Sequence, residues 1–398
     1  MERTGITSHR GNTRELLIKE FQARYGQSAR LFRAPGRVNL IGEHTDYNDG
    51  FVMPAALGFY TYVAAGIRQD DKLCVDSLDF QEPCQFEMSD TVAGPTGHWS
   101  DYVRGVAAVL RSCNFPVRGA NLLVKSDVPI GAGLSSSAAI EVATALALLA
   151  VFDIHLDLRR VAAICQGAEH EFAGTKCGIM DQFVSCFGQA SHALLLDCRS
   201  LHFETLPIDE RVPIVLCNTM VKHELAGGEY NRRRADCEAG VNFLRQFIPG
   251  IRALRDVTLQ QLADYGRGMP SVTSRRCRHV ISENLRVLEA AEALRRDDLR
   301  RCGTLMTQSH ASLRNDYQVS CKELDLMVQL ACRHRGVFGA RMTGGGFGGC
   351  TVNLVEASAV SEFTAGMSRD YENATGLRPD IYVCTPGDGA AEVTQARA

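Results

Sequence analysis

The sequence lacks the features that mark membrane-spanning, disulfide-bonded and zinc-binding proteins. Its longest apolar run, around Ala138–Phe152, contains Glu141 and is shorter than the ~20 residues that a membrane-spanning helix requires. Its 15 cysteines are an odd number and include no C-x-x-C pair, which argues against a disulfide framework and a zinc cluster. Met1–Glu15 is polar and charged, without the apolar core of a secretory signal. We therefore expect a cytoplasmic protein with free thiols.

The sequence also has no excess of charge of one sign. It contains 43 lysines and arginines against 46 aspartates and glutamates, for a net charge of −3. Proteins that bind nucleic acids or membrane surfaces often present a clear excess of positive charge, so we expect neither as a partner. The G-x-x-x-x-G-K-[ST] segment of the common phosphate-binding loop is absent as well. A phosphate site in this chain would therefore need a different loop.

What is present is a bend of small residues between a strand and a helix. Pro129 to Ala139 reads P-I-G-A-G-L-S-S-S-A-A, after the strand-like run Asn121–Val128 and at the start of an apolar helix. The first N–H groups of a helix are unpaired and carry a partial positive charge, so an anion can bind there. However, a glycine turn with a serine N-cap opens many ordinary helices. Taken alone, the segment is equally compatible with both interpretations.

Periodicity along the chain predicts strands, then helices, then strands again. Glu229 to Arg335 is mainly helical, with strand-like runs on both sides, which indicates an α+β protein rather than a parallel βαβ sheet. We place two domains at 1–208 and 209–398, and we expect a long loop over Pro35–Pro54 and a frayed tail after Gly387. The other predicted helices are Thr13–Tyr25, Trp99–Cys113, Ser136–Phe152, Leu158–Phe172 and Ala359–Tyr371. The predicted strands are Ala29–Ala34, Phe59–Ile67, Lys72–Ser77, Cys84–Met88, Ala120–Lys125, Ala193–Asp197, Val212–Cys217, Val337–Met342, Thr351–Glu356 and Asp380–Cys384.

A second glycine-rich segment, Met342 to Cys350, reads M-T-G-G-G-F-G-G-C. It contains G-x-G-x-x-G (Gly344, Gly346, Gly349), but a dinucleotide-binding fingerprint must open a helix, and the following Cys350–Val355 is strand-like. What remains is a stretch of backbone bare of side chains between two strands. A ligand, or the bend of small residues at Pro129–Ala139, can approach such a backbone closely.

A third segment, Arg37 to Gly50, reads R-V-N-L-I-G-E-H-T-D-Y-N-D-G. It gathers Glu43, His44 and Asp46 on one loop, together with further short polar side chains. Carboxylates and an imidazole on one loop suit the recognition of sugar hydroxyl groups. They could equally be solvated loop side chains, and the loop alone favours that second interpretation.

In this order and spacing, the three segments resemble the signature motifs of the GHMP kinase family, which includes galactokinase, homoserine kinase, mevalonate kinase and phosphomevalonate kinase. The resemblance is strongest to the galactokinase branch, through G-E-H-T-D-Y-N-D-G, G-I-M-D-Q-F at Gly178–Phe183 and G-G-E-Y-N-R-R-R at Gly227–Arg234. It extends from about Arg33 to about Glu356. It implies a two-domain α+β fold with mixed and antiparallel sheets and an active site in the cleft between the domains.

The resemblance implies a Mg²⁺-dependent kinase that phosphorylates the anomeric hydroxyl group of α-D-galactose with ATP, as in galactose catabolism. It also leans towards a monomer. One alternative is an N-acetylgalactosamine kinase, which the intact T-D-Y-N-D-G disfavours. Another is a sensor that binds galactose and ATP without catalysis. The complete run Ser135–Ala139 disfavours that alternative.

The resemblance also implies roles for individual residues. Arg37 would stabilise charge on the transferring phosphoryl group and hold Asp181 ionised, and Asp181 would accept the proton of the anomeric hydroxyl. Without the resemblance, Trp99 and Tyr102 are core aromatics at helical spacing. The implied sugar-binding residues are Arg37, Glu43, His44, Asp46, Asp181 and Tyr230. The implied ATP-binding residues are Gly131, Gly133, Ser135, Ser136, Ser137, Trp99 and Tyr102, and the implied Mg²⁺ ligands are Ser137 and Glu169.

Overall fold

The chain folds into three β-sheets flanked by helices in the part that this computed structural model describes, residues 10–80, 82–89, 94–222 and 226–393. The strands are β1 (Arg30–Asn39), β2 (Phe51–Val52), β3 (Pro54–Ile67), β4 (Lys72–Ser77), β5 (Cys84–Glu87), β6 (Ala120–Ser126), β7 (His192–Asp197), β8 (Phe203–Pro207), β9 (Ile214–Lys222), β10 (Val337–Met342), β11 (Gly348–Val355), β12 (Asp380–Cys384) and β13 (Ala391–Glu392). The α-helices are α1 (Arg10–Tyr25), α2 (Asp101–Ser112), α3 (Ser136–Val151), α4 (Leu158–Ala168), α5 (Met180–Phe187), α6 (Ala226–Leu244), α7 (Leu259–Tyr265), α8 (Ser271–Arg295), α9 (Leu299–Ser312), α10 (Lys322–Ala331) and α11 (Val360–Thr375).

The first sheet has the strand order β13-β1-β3-β6-β4-β5, and its neighbours are antiparallel except for β4 and β6. Neighbouring residues of a strand point to opposite faces of a sheet. Val63 and Ala65 of β3 face a large core that α2, α3 and α4 complete. Tyr62 and Ala64 face the opposite side, where α1 packs. The sheet is therefore covered on both faces.

The second sheet, β10-β11-β9-β12, is antiparallel throughout, and the third is the small sheet β2-β7-β8. Helices α10 and α11 cover one face of the second sheet around Phe363 and Met367. A further core joins Val38 of β1 to Leu216 of β9 and to the long helices α8 and α9. The predicted α+β fold with mixed and antiparallel sheets is confirmed. The division at 208/209 stays a prediction, and this shared core draws side chains from both sides of it.

The predicted loop over Pro35–Pro54 is wrong at both ends. Strand β1 continues to Asn39, so Arg37 lies on a strand, and β3 begins at Pro54. The register of β1 against β3 shifts just after Pro35. Such an irregularity allows a strand to continue past a residue that has no N–H to donate. The sequence signal for a loop is the content of glycine, asparagine and aspartate in this segment.

The predicted fraying after Gly387 is also wrong for the described residues. Strand β13 pairs with the outer edge of β1 in the first sheet. The Arg30 guanidinium reinforces this pairing with two hydrogen bonds of 2.8 Å to the Glu392 carboxylate. Arg30 and Glu392 are 362 residues apart in the sequence. The tail therefore completes a sheet whose first strand lies near the start of the chain.

The predicted free thiols are confirmed, because all 15 cysteines, from Cys74 to Cys384, are unpaired. Within residues 10–80, 82–89, 94–222 and 226–393, no helix combines the length and the apolar character that crossing a membrane requires.

Candidate active site

A backbone bend leads from β6 into α3. Gly131 and Gly133 have φ angles of 75° and 77°, which glycine adopts without a steric cost, and Ser135 has a φ of 56°. The first backbone hydrogen bond of α3 runs from the N–H of Ala139 to the carbonyl of Ser135, at 3.1 Å. The N–H groups of the first turn, those of Ser136 and its successors, therefore have no partner inside the helix, and the positive end of the helix dipole lies at the bend.

The glycine-rich segment before β11 lies directly against this bend. A Cβ atom added to Gly344 would lie 3.1 Å from the carbonyl oxygen of Gly133, and one added to Gly349 would lie 3.3 Å from that of Ala132. Both glycines also have positive φ angles, of 84° and 80°. Side chains would push the two segments apart, so the predicted close approach to a bare backbone is confirmed.

Arg37 and Asp181 form a two-point ion pair beside the bend. The Nε and Nη2 atoms of Arg37 donate to Oδ1 and Oδ2 of Asp181 at 2.8 and 2.6 Å. The Nη1 atom of Arg37 donates to the Gly133 carbonyl at 2.7 Å, and the Ser135 hydroxyl donates to Asp181. Arg37 comes from β1 and Asp181 from the first turn of α5, so two distant segments fix the pair at the bend.

A buried carboxylate lies next to the first turn of α3. Glu169, in the π-helix Glu169–Ala173, accepts a hydrogen bond of 3.1 Å from the Ser137 hydroxyl and one of 2.5 Å from the Gln182 amide. The same amide donates to Glu141 at 3.1 Å. Burial, and then the negative charge of Asp181, raise the pKa of Glu169 to about 7. A cation bound at the Ser137 hydroxyl and the Glu169 carboxylate would reverse that shift.

Glu43 lies in the segment Arg37–Gly50, which we call the sugar loop after the role that the resemblance implies. It is almost fully buried and connects two motifs. Its Oε1 atom accepts hydrogen bonds from the Gly344 N–H at 2.7 Å and the Thr343 hydroxyl at 3.1 Å. Its Oε2 atom accepts from the Asn39 amide at 3.1 Å, and the Nη2 atom of Arg341 lies 3.4 Å from Oε1. The carboxylate therefore ties the sugar loop to the glycine-rich segment through groups of the protein itself.

Asp46 is buried close to Gly178, at the start of the G-I-M-D-Q-F segment. A Cβ atom on Gly178 would lie only 2.1 Å from the Asp46 carboxylate, so only glycine fits there. Burial, and then the charge of Asp181, raise the pKa of Asp46 to about 7. The two motifs that carry Asp46 and Asp181 therefore meet at one site, as the resemblance implied.

His44 and Tyr230 lie together in an aromatic cluster. Their ring centroids are 5.4 Å apart, and the ring of Tyr47 lies 5.8 Å from His44 and 5.4 Å from Tyr230. His44 has a φ of 65°, a strained angle for a residue with a Cβ atom, which points to a structural or functional constraint. Its Nε2 atom is buried and has no hydrogen-bond partner in the described part of the chain.

Trp99 and Tyr102 lie at the start of α2, and their sequence-predicted role stays a prediction. Trp99 stacks on Phe80 at 5.4 Å and packs against the first core, and its buried indole N–H has no partner among the residues that the structure describes. Tyr102 is half-buried, and burial, followed by the charge of Glu169, raises its pKa to about 12. The core interpretation therefore accounts for most of the Trp99 contacts.

Several residues around the site are not among the site residues predicted from the sequence. Gln182 bridges the two buried carboxylates, Glu141 and Glu169. Tyr47 and Tyr317 form a hydrogen-bonded pair of hydroxyl groups next to His44. Tyr47 and Gln182 lie inside quoted motifs and could have been noticed there, whereas Tyr317 lies in a helical region 270 residues from Tyr47, beyond the reach of local patterns.

Comparison with known protein families agrees with these motifs. Residues 19–67 match the galactokinase galactose-binding signature, residues 101–189 the N-terminal domain of GHMP kinases, and residues 290–373 their C-terminal domain. The galactokinase of Chloroflexus aggregans is 50% identical over 372 residues, which are 93% of this chain and 95% of that protein. The chain belongs to the galactokinase branch of the GHMP kinase family. The galactokinase of Chloroflexus aurantiacus is likewise 50% identical, over 94% of this chain and 96% of its own length.

Solved structures agree with membership of the galactokinase branch. Lactococcus lactis galactokinase, solved in complex with galactose, superposes with a TM-score of 0.92 at 32% identity and covers 96% of this chain and 100% of its own. Methanococcus jannaschii mevalonate kinase shares the fold, with a TM-score of 0.65 at 19% identity over 91% of this chain and 99% of its own. The chain is an ATP-dependent sugar kinase, and the family, fold and enzyme class that the three motifs implied are confirmed.

Proposed function

We propose that this chain transfers the γ-phosphoryl group of ATP to the anomeric hydroxyl group of α-D-galactose, with Mg²⁺ as cofactor. The observation that carries this proposal is the two-point contact of Arg37 with Asp181 beside the phosphate-binding bend. The Asp181 carboxylate accepts a hydrogen bond from Ser135 of the bend and raises the pKa of Asp46 in the sugar loop. Asp181 therefore interacts both with the bend that would bind ATP and with the loop that would bind the sugar.

In this proposal Asp181 accepts the proton of the anomeric hydroxyl as the new P–O bond forms. A carboxylate is a weak base, but phosphoryl transfer through a loose transition state needs little proton removal before the old bond breaks. General-base help typically supplies about 10²- to 10⁴-fold. Positioning and neutralisation of phosphoryl charge by Arg37 and by the start of α3 supply the rest.

The triphosphate would lie against the bend. Two N–H groups of the first turn of α3 belong to Ser136 and Ser137, and the glycines at Gly131 and Gly133 leave room for phosphate oxygens. Ser137 and Glu169 together offer one hydroxyl and one carboxylate oxygen, which suits a Mg²⁺ ion that takes its other ligands from phosphate and water. When bound, the ion would neutralise phosphate charge.

The sugar would contact Asp46, His44 and Tyr230. An ionised Asp46 accepts hydrogen bonds from two hydroxyl groups, and the aromatic faces beside His44 suit the apolar face of a hexose ring. The role of Glu43 in this proposal is to hold the loop, since its carboxylate already has protein partners. We also propose a cytoplasmic monomer with the site in a cleft between 1–208 and 209–398.

A coupled ADP-release assay across a panel of monosaccharides tests the proposal. We expect galactose-dependent, Mg²⁺-dependent ADP release and little turnover of glucose or N-acetylgalactosamine. Faster turnover of the N-acetyl sugar would assign the chain to that substrate instead. Galactose and ATP binding by calorimetry without ADP release would make it a sensor.

A further inference from the structure

A line of hydrogen-bonding side chains runs from His44 into the protein interior. The Nδ1 atom of His44 lies 2.7 Å from the Tyr47 hydroxyl oxygen, which lies 2.8 Å from the Tyr317 hydroxyl oxygen. The Tyr317 oxygen in turn lies 3.2 Å from the sulfur of Cys237. His44, Tyr317 and Cys237 are 4%, 0% and 1% exposed. Away from water, such contacts are strong, and a group left unpaired is costly.

Tyr317 is fixed in this line by two arginines from different helices. It ends the π-helix Leu313–Tyr317. The Nε atom of Arg233, on α6, donates to the Tyr317 carbonyl at 3.0 Å, and Arg276, on α8, donates to the carbonyl just before it. The Tyr317 ring also packs 4.7 Å from the ring of His44. Its hydroxyl group therefore has a defined position relative to the sugar loop.

The second ring nitrogen of His44 has a different environment from the first. Nε2 is buried and has no hydrogen-bond partner among the described residues. Burial lowers the pKa of His44 well below its usual range, and the nearby carbonyl of Gly345 opposes this effect only in part. The ring is therefore neutral and carries a single N–H. Because Nδ1 faces the Tyr47 hydroxyl, a single hydrogen on Nε2 leaves Nδ1 free to accept a hydrogen bond from Tyr47.

We propose that Tyr47 and Tyr317 are positioning residues that set the tautomer of His44, so that its Nε2–H donates to an oxygen atom of the bound hexose. Tyr317 donates to the Tyr47 oxygen, and Tyr47 donates to Nδ1. Each tyrosine acts through His44 rather than on the reacting atoms. The inference rests on the proposed function, in which His44 binds the sugar.

The tautomer itself can be measured without any assay of activity. Long-range ¹H–¹⁵N NMR of histidine-labelled protein distinguishes Nε2–H from Nδ1–H, and the loss of one signal set in His44→Gln identifies His44. We expect Nε2–H in the unaltered protein, and Nδ1–H would overturn the inference. Failure of this protein to phosphorylate galactose would instead overturn the proposed function, and the NMR result would still stand.

Steady-state kinetics of Tyr47→Phe and Tyr317→Phe test the consequence. We expect the KM for galactose to rise about tenfold in the first variant and about threefold in the second, with kcat and the KM for ATP within about twofold. Tyr371→Phe is the matched control, because the Tyr371 hydroxyl is also buried but donates to the Thr219 carbonyl, at 3.0 Å, away from this line.

Two kinetic outcomes would overturn the inference. One is a Tyr47→Phe enzyme whose KM for galactose stays within about twofold of the original value. The other is an equal rise in KM in all three variants, since Tyr371→Phe removes a buried hydrogen bond without touching His44. If Tyr47→Phe does not fold, Tyr317→Phe and the NMR measurement on the unaltered protein decide.

Discussion

At the scale of single residues, the site is a set of carboxylates whose charges are controlled by burial. Asp181 has a guanidinium in two-point contact, whereas Asp46 and Glu169 are buried near Asp181 without such a partner. Desolvation and a neighbouring negative charge both favour the neutral acid, which is why the pKa values of the latter two rise to about 7. The fold therefore gives Asp46 and Glu169 pKa values near neutral pH.

Replacing Asp181 tests the proposed proton acceptor. We expect Asp181→Asn to lower kcat by about 10²- to 10⁴-fold while the melting temperature stays near that of the unaltered protein. Asp197→Asn is a matched control, because Asp197 also forms a two-point pair with an arginine, Arg255, which donates to the Asp49 carbonyl rather than to the bend before α3. Steady-state kinetics and thermal unfolding of both variants make the comparison. Retention of more than about a tenth of kcat by Asp181→Asn would remove that residue from its role.

The raised pKa of Asp46 predicts an unusual pH dependence of stability. Its folded-state pKa of about 7 exceeds the ordinary 3.8, so the folded protein binds this proton more tightly, and Asp46 destabilises the fold as the pH rises from about 4 through 7. We expect Asp46→Asn to increase the free energy of unfolding more at pH 8 than at pH 5.5, by on the order of 2 kcal/mol.

Urea unfolding of both proteins at the two pH values measures this difference. The variant should also show a higher KM for galactose, because it loses an ionised acceptor. A stability difference between the proteins that does not change with pH would contradict the raised pKa of Asp46.

At the scale of elements, the bend between β6 and α3 depends on backbone angles that side chains disfavour. Gly133 has a φ of 77° and lies against the glycine-rich segment, through the carbonyl of Thr343 and through Gly344. Gly376 has a φ of 73° at the end of α11, and no atom of the described residues lies within 4 Å of the position that a Cβ would take there. The two positions share the same backbone strain but differ in their surroundings.

This pair separates strain from function. We expect Gly133→Ala and Gly376→Ala to lose similar stability, about 1 kcal/mol each, since a Cβ is disfavoured at positive φ. Only Gly133→Ala should raise the KM for ATP, by about tenfold or more, because it changes the bend that would receive the phosphates. Thermal unfolding and ATP titrations measure the two effects. Equal KM values for ATP would place the nucleotide elsewhere.

The sequence predicts the helices and strands better than the tertiary contacts between them. Strands such as β4, β10 and β12 were predicted with correct bounds, because strong local alternation or apolar runs define them. The short helix α5 and strand β8 escaped notice, since five to eight residues carry little periodicity. The contact of Arg37 with Asp181 spans 144 residues, and only the family resemblance, not any local pattern, linked the two.

At the scale of the whole molecule, buried polar contacts join segments that lie far apart in the sequence. The Glu43 carboxylate holds the sugar loop against Thr343, Gly344 and the fully buried Arg341. Gly344 is 301 residues from Glu43 in the sequence. Removing one partner of a buried charged pair leaves the other without compensation. The arrangement makes the sugar loop and the glycine-rich segment depend on each other.

We therefore expect Glu43→Gln to lower the free energy of unfolding by about 3–5 kcal/mol. Glu392→Gln is the control, because its pair with Arg30 is also long-range but exposed, and such pairs contribute only about 0.2–1 kcal/mol. Urea unfolding of the two variants at one pH gives the comparison. A loss of less than about 1 kcal/mol in Glu43→Gln would show that the loop is held by packing alone.

The pairing of β13 with β1 has a consequence for how the protein is made. On the ribosome, β1 emerges early and can pair with β3 at once, but its other edge must wait for Ala391–Glu392. Until translation reaches that point, the first sheet exposes a row of unpaired N–H and C=O groups, to which another nascent chain can add. Aggregation can therefore compete with folding until the two-residue strand β13 has been synthesised and pairs with β1.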